Sequence, residues 1–157
     1  MLAIGSDKSG YPLKEAIKGY LLEQKIDYIE IGTMDINKPV PFYKVAPEAA
    51  ALLRNDNVDR AILICGTGMG MSQVANKFKG IRAACVESVF AAKLCRAVND
   101  SNVLCMGGWI TAAEMGVEMV KEFLSTGFTE GLEEWRKDFL RSAKEEVRMI
   151  EVGIYGE

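Results

Sequence analysis

The chain has 157 residues, 49% of them hydrophobic and 26% charged, with a formal net charge of −3. That length suffices for one domain with a substantial core, and the charge lacks the basic surplus of a nucleic-acid binder. No apolar run is long enough to cross a membrane, and the absence of histidine excludes a Ser-His-Asp triad, a Cys-His dyad and any His-ligated metal site.

Met1 runs directly into LAIGS, read as a strand at 2–5, so no export signal is expected and the chain is expected to be cytoplasmic. A helical period follows at 11–24, then a strand at 28–31 and a polar, proline-containing loop, GTMDINKPVPF, at 32–42. Next come a helix at 43–54, a strand at 61–64, a glycine-rich turn and a helix at 71–78. The pattern closes with a strand at 81–86, a helix at 88–98, a strand at 102–106 and helices at 112–125 and 130–149. Such alternation predicts an α/β fold: a Rossmann-like three-layer α/β/α sandwich around a five-stranded parallel sheet. Ligands then bind beyond the carboxyl ends of the strands. Residues 1–140 read as a single domain and 141–157 as its helical extension and tail. In the last helix Leu132, Trp135, Phe139 and Leu140 share a stripe, which packs either on a partner subunit or on the chain's own domain.

The residues suited to chemistry sit around the strand ends. GSDKSG follows the first strand and offers Asp7 and Lys8; CGTGMGMS follows the third; Asn99 and Asp100 precede the fifth and Trp109 follows it. Cys65 lies between a strand and a helix N-terminus, a position that favours the thiolate. Gly66, Gly68, Met69 and Gly70 can turn backbone N–H groups inward as a nest for an anion. A thiolate base beside such a nest suits proton abstraction alpha to a carbonyl, because the enediolate needs that stabilisation, and Thr67 can hydrogen-bond a substrate oxygen. A small buried core cysteine explains Cys65 about equally well. For Cys85, Cys95 and Cys105, set among apolar neighbours, the core explanation is preferred. Without a CxxC pair or an export signal, neither a disulfide framework nor a four-cysteine metal site is expected. The turn is G-x-G-x-G and so lacks the dinucleotide fingerprint; it has no G-K-[ST] ending and no arginine at the C-x5-R position, where Met71 stands.

Three stretches, AIGSDKSGYPLKEAI, VDRAILICGTGMGMSQVANKFKGIRAA and NDSNVLCMGG, resemble the type B ribose-5-phosphate isomerase and galactose-6-phosphate isomerase family from residue 1 to about 140. The resemblance implies an enzyme, an aldose–ketose isomerase of a sugar phosphate working through an enediol without cofactor or metal. It implies a homodimer, sometimes paired into a tetramer; the net charge and the short apolar runs lead us to expect no nucleic-acid or membrane partner. By that resemblance Cys65 moves the proton between C1 and C2, Thr67 assists, and the loop Gly66–Gly70 holds the enediolate oxygen. Asp7, Asn99 and Asp100 line a sugar site completed across the dimer interface.

The departures from the family pattern are equally specific. Lys8 stands where a histidine is usual, and Val98 replaces the histidine credited with opening the sugar ring. Trp109 and Leu132 stand where arginines are common, Val40 replaces a tyrosine, and Arg136 matches the second arginine of the usual ending. Lys8 and Arg136 are therefore the candidate anion partners. The substrate expected is ribose 5-phosphate-like or a shorter sugar phosphate, with a four-carbon chain favoured because it needs no ring opener. The alternatives are an unphosphorylated or differently functionalised sugar, and a catalytically weak sugar-phosphate binding subunit.

Overall fold

The computed structural model describes residues 1–156. The element order is β1 (Leu2–Ser6), α1 (Tyr11–Glu23), β2 (Tyr28–Gly32), α2 (Phe42–Arg54), β3 (Arg60–Cys65), α3 (Met69–Ala75), β4 (Ala83–Cys85), α4 (Val89–Ala97), β5 (Val103–Gly107), α5 (Ala113–Ser125) and α6 (Glu134–Tyr155). All five strands are parallel, in the order β2-β1-β3-β5-β4. Parallel neighbours need crossover connections, and these lay helices on both faces. Alternate residues of β1 and β3 accordingly enter two cores. Ala3, Ala61 and Leu63 pack under α2 and α3, and Ile4, Ile62 and Ile64 under α1, α4 and α5. The expected three-layer α/β/α sandwich is thus the observed fold. The chain leaves β1 toward β2 on one side and β3 on the other, so the crevice beyond the carboxyl ends of β1 and β3 is the switch point where such sheets bind ligands.

Three elements depart from the sequence expectation by two residues or more, each for a local reason. The edge strand β4 keeps only Ala83–Cys85 of the predicted 81–86, because it pairs with β5 alone, in the register Ala83↔Val103 to Cys85↔Cys105. Helix α3 starts at Met69, two residues early, because Gly68 turns the chain in the left-handed region with φ 77. Helix α6 starts late, after Thr129 and Gly131 with φ 65 and 73, and runs on to Tyr155. Its far end is tied down: Glu151 accepts from the Gly80 N–H at 2.6 Å, and the Tyr155 hydroxyl donates to the Lys77 carbonyl at 2.8 Å.

Midway, α6 is held by an ion cluster. Asp100 takes the left-handed conformation, φ 49, which Asp tolerates better than most residues. Its carboxylate pairs with Arg96 at 2.9 Å, with Arg82 at 3.3 Å and with Lys144 of α6. Burial pushes the carboxyl pKa up, but Lys144, Arg82 and Arg96 outweigh that and hold it below the ordinary value. A depressed folded pKa gives stability that is fully present above the unfolded value, about 3.9 for Asp, and is lost as pH falls through the lower folded one. Asp100→Asn keeps the left-handed turn and removes the charge. It should cost about 1–3 kcal/mol at neutral pH, the range for a hydrogen bond to a charged group, read as a lower melting temperature. The gap from the parent should close on acidification below about pH 4. A gap independent of pH would assign the effect to packing.

Candidate active site

The carboxyl ends of β1, β3 and β5 meet through backbone. The Asp7 N–H donates to the Ile64 carbonyl at 3.2 Å; the Gly108 N–H donates to Cys65 at 2.7 Å and the Trp109 N–H to Gly66 at 3.0 Å. Between them lies the turn 65–70. Cys65 is buried at its base, 5% exposed, and its Sγ accepts from the Gly68 N–H at 3.2 Å. The Thr67 hydroxyl accepts from the Met69 N–H at 3.3 Å. Among the described residues, the Gly66 and Thr67 N–H groups have no partner within the chain. A sulfur facing such a turn, with unspent donors beside it, is the arrangement a proton-transfer base and an enediolate nest require.

The loop holds this shape because side chains and backbone press on its glycines. A Cβ on Gly66 would lie 2.7–2.8 Å from three carbons of the Trp109 indole. One on Gly68 would lie 2.8 Å from the Met106 carbonyl carbon, at a φ of 77 that already disfavours a side chain. Phe42, from the start of α2, lies against Gly70.

Cys85 packs against the core, and it also borders the turn. It is half-buried, lies against Gly68, and its Sγ is 3.6 Å from the Thr67 carbonyl. Burial pushes its thiol up, with Cys65 and Glu87 adding to the shift. Burial also pushes up Cys95 and, most of all, the fully enclosed Cys105. Those two fit the core explanation. Trp109 was marked by its place after β5, whereas the neighbourhoods of Cys85 and Phe42 had no sequence signal beyond the apolar residues themselves.

Asp7 and Lys8 lie at the same edge. Asp7 Oδ1 accepts from the Gly10 N–H at 3.0 Å, bracing the turn into α1, and Lys8 is exposed. Asn99, Asp100 and Arg136 do not join them. A residue just before β5 lies at the amino edge of a parallel sheet, opposite Cys65, so within one chain Asn99 and Asp100 do not share the crevice with Asp7 and Cys65. There Asn99 lines a groove of about 560 Å³ between α6 and the β4 edge, with Val98, Leu140 and Arg141. Asp100 is spent on its three cations. Arg136 pairs with Glu133 at 3.5 Å and lies over the Trp135 ring. Of the final stripe, Leu132 and Leu140 are half-buried, while Trp135 and Phe139 are 67% and 65% exposed. Among the described residues no cluster of His, Cys, Asp and Glu could hold a metal ion, and no helix is long and apolar enough to cross a membrane.

A family model described as Ribose/Galactose Isomerase matches residues 2–140. The chain is 56% identical over 152 residues to a 4-deoxy-4-sulfo-D-erythrose isomerase of Clostridium sp. (strain MSTE9), covering 97% of this chain and 96% of that protein. It is 35% identical to D-erythrulose-4-phosphate isomerase 2 of Mycolicibacterium smegmatis, over 81% of this chain and 85% of that one. In three dimensions it is similar to ribose-5-phosphate isomerase B of Clostridium thermocellum, with a TM-score of 0.87, 31% identity and 98% of each chain covered.

The contacts on the two glycines differ in kind. Gly66→Ala meets a side chain that can swing aside, and Gly68→Ala meets backbone. Gly68→Ala should destabilise by about 1–3 kcal/mol, the cost of a strained φ. Gly66→Ala should cost less, and adding Trp109→Ala should relieve most of that cost. Urea unfolding of the three variants checks the order; equal costs for the two single variants would contradict it.

Proposed function

The chain belongs to the ribose/galactose isomerase family, and on that premise we propose that it interconverts the aldose and ketose forms of a four-carbon sugar ending in a sulfonate, 4-deoxy-4-sulfo-D-erythrose and its 2-keto isomer. The observation that carries this is the absence of histidine from the whole chain, with Val98 where a ring opener is expected. A pentose 5-phosphate closes into a furanose and must be opened. A tetrose whose C4 bears sulfonate has no hydroxyl placed to close that ring, so a site without a ring opener loses nothing on it. The relative that is 56% identical carries the name of that reaction.

In this reading Cys65 Sγ, as thiolate, removes the proton from C2 of the open aldose. The electron pair moves into the C1–C2 enediolate, and the N–H groups of Gly66 and Thr67 hold its oxygen. The thiol then returns the proton to C1, leaving the ketone at C2. Thr67 shuttles the hydroxyl proton between O1 and O2, and Lys8 attracts the terminal anion. General-base catalysis of this kind contributes roughly 10²–10⁴-fold. Cys65→Ala should therefore lose about that much of kcat with little change in stability. Incorporation of deuterium from D2O into the sulfonated tetrose, erythrose 4-phosphate and ribose 5-phosphate, followed by NMR, ranks the substrates. The sulfonated tetrose should exchange fastest and ribose 5-phosphate slowest. Fastest turnover of ribose 5-phosphate would sink the reading.

The working unit in this reading is a homodimer or a dimer of dimers. Asn99 and Arg136 sit at the edge opposite Cys65, so they reach a glycine turn only from a second copy, and the exposed Trp135 and Phe139 offer apolar surface for it. Cys65→Ala and Asn99→Ala homodimers should both be impaired. After mixing and subunit exchange, half the dimers are mixed and each regains one intact site, restoring roughly a quarter of parental activity. No recovery from an exchanged mixture would mean that each chain's site is self-contained.

A further inference from the structure

We propose that Trp109 sets the terminal-anion preference of this site, favouring a singly charged sulfonate over a doubly charged phosphate on the same four-carbon chain; the inference rests on the substrate reading above. Trp109 is 73% exposed, an unusual state for the residue with most to gain from burial. Its backbone is pinned to the turn: the main-chain N–H donates to the Gly66 carbonyl and the preceding Gly108 N–H to the Cys65 carbonyl, while the indole lies against Gly66 through Cε3, Cδ2 and Cε2. One ring face thus closes on the residue beside the catalytic sulfur, and the opposite face is open.

A four-carbon chain is hardly longer than an indole is wide. With C1 and C2 at Cys65, its remaining atoms cannot avoid the neighbourhood of Gly66 and therefore of Trp109. The ring has two consequences for what can sit there. Its flat apolar surface suits a CH2 group carrying a weakly hydrated head. Its π face carries negative potential, which attracts cations and repels anions in proportion to their charge. A sulfonate is a monoanion at any working pH, whereas a phosphate monoester loses its second proton near pH 6. The dianion is therefore penalised more, and no guanidinium fork stands at this position to repay it.

The test is the ratio of kcat/KM for 4-deoxy-4-sulfo-D-erythrose to that for erythrose 4-phosphate, in the parent, Trp109→Phe and Trp109→Arg, between pH 5.5 and 8. Dividing one substrate by the other cancels any general loss of folding or of Cys65 function. The phenyl ring should hold the ratio within about threefold, and the arginine should shift it toward phosphate by at least about tenfold. In the parent, phosphate should gain on sulfonate as pH falls through about 6, where its monoanion forms. A ratio unmoved by Trp109→Arg overturns the inference, as does an equal fall for both substrates with loss of the dimer, which would make Trp109 an interface residue. The parent's own ratio tests the substrate reading separately. A parent that favours phosphate overturns that reading while a tenfold shift in the variant still supports the role of Trp109, and a parent that turns over neither overturns both.

Discussion

The structure depends on how closely the backbone comes together at the carboxyl edge of the sheet. A Cβ on Gly10 would stand 2.2 Å from the Ile64 carbonyl oxygen, and Asp7 donates to that same carbonyl. The loop after β1 is therefore seated on the end of β3, and the loop after β5 is bonded to Cys65 and Gly66. Buried backbone groups must find partners, so three strand ends that approach so closely fix one another's position. A turn held in this way can leave N–H donors unspent without collapsing onto them. Cys65 inherits its placement from that constraint together with its packing in the core under α2 and α3.

The amino edge is organised by the opposite means. There Asp100, Arg82, Arg96 and Lys144 set the geometry through charge, and the cluster joins the end of α4 to α6. Arg96 is only 8% exposed, so its charge needs the carboxylate, and Asp100 cannot be freed for a ligand without stranding it. Asp100 is in consequence a brace. Asn99, beside it and exposed, is the residue left over to reach outward.

The sequence made the fold legible because β1 and β3 are buried on both faces and so read as unbroken apolar runs. It was less informative at β4, where a strand pairs on one side only, and at the start of α6, where the positive φ of Thr129 is invisible to helical periodicity. The glycine-rich turn after β3, with a cysteine at its base, was legible in CGTGMGMS because glycines crowd between an apolar run and a helical period. The contact of Cys85 with the turn was not legible, since it arises from a register, Cys85↔Cys105 beside Cys65↔Gly107, that only sheet order determines. The separation of Asn99 from Cys65 could have been read. In a parallel sheet, the residues before a strand and those after another lie at opposite edges, whatever their resemblance to a shared site.

Those two edges bear on substrate length. A site assembled from the carboxyl edge of one chain and the amino edge of another has a span set by how closely the copies approach. Large residues at that junction shorten it. Within each chain the Trp109 indole narrows the carboxyl edge, occupying volume against Gly66 while bringing no charge. At the opposite edge Val98 likewise brings neither a proton donor nor an acceptor. A pentose phosphate demands ring opening, greater length and neutralisation of a second negative charge. A sulfonated tetrose removes the first demand by having no C4 hydroxyl, the second by ending one carbon earlier, and the third by carrying a single charge. In the proposed reading, the absent ring opener, the indole beside the turn and the lone loop lysine are thus three departures that one substrate chemistry accounts for together.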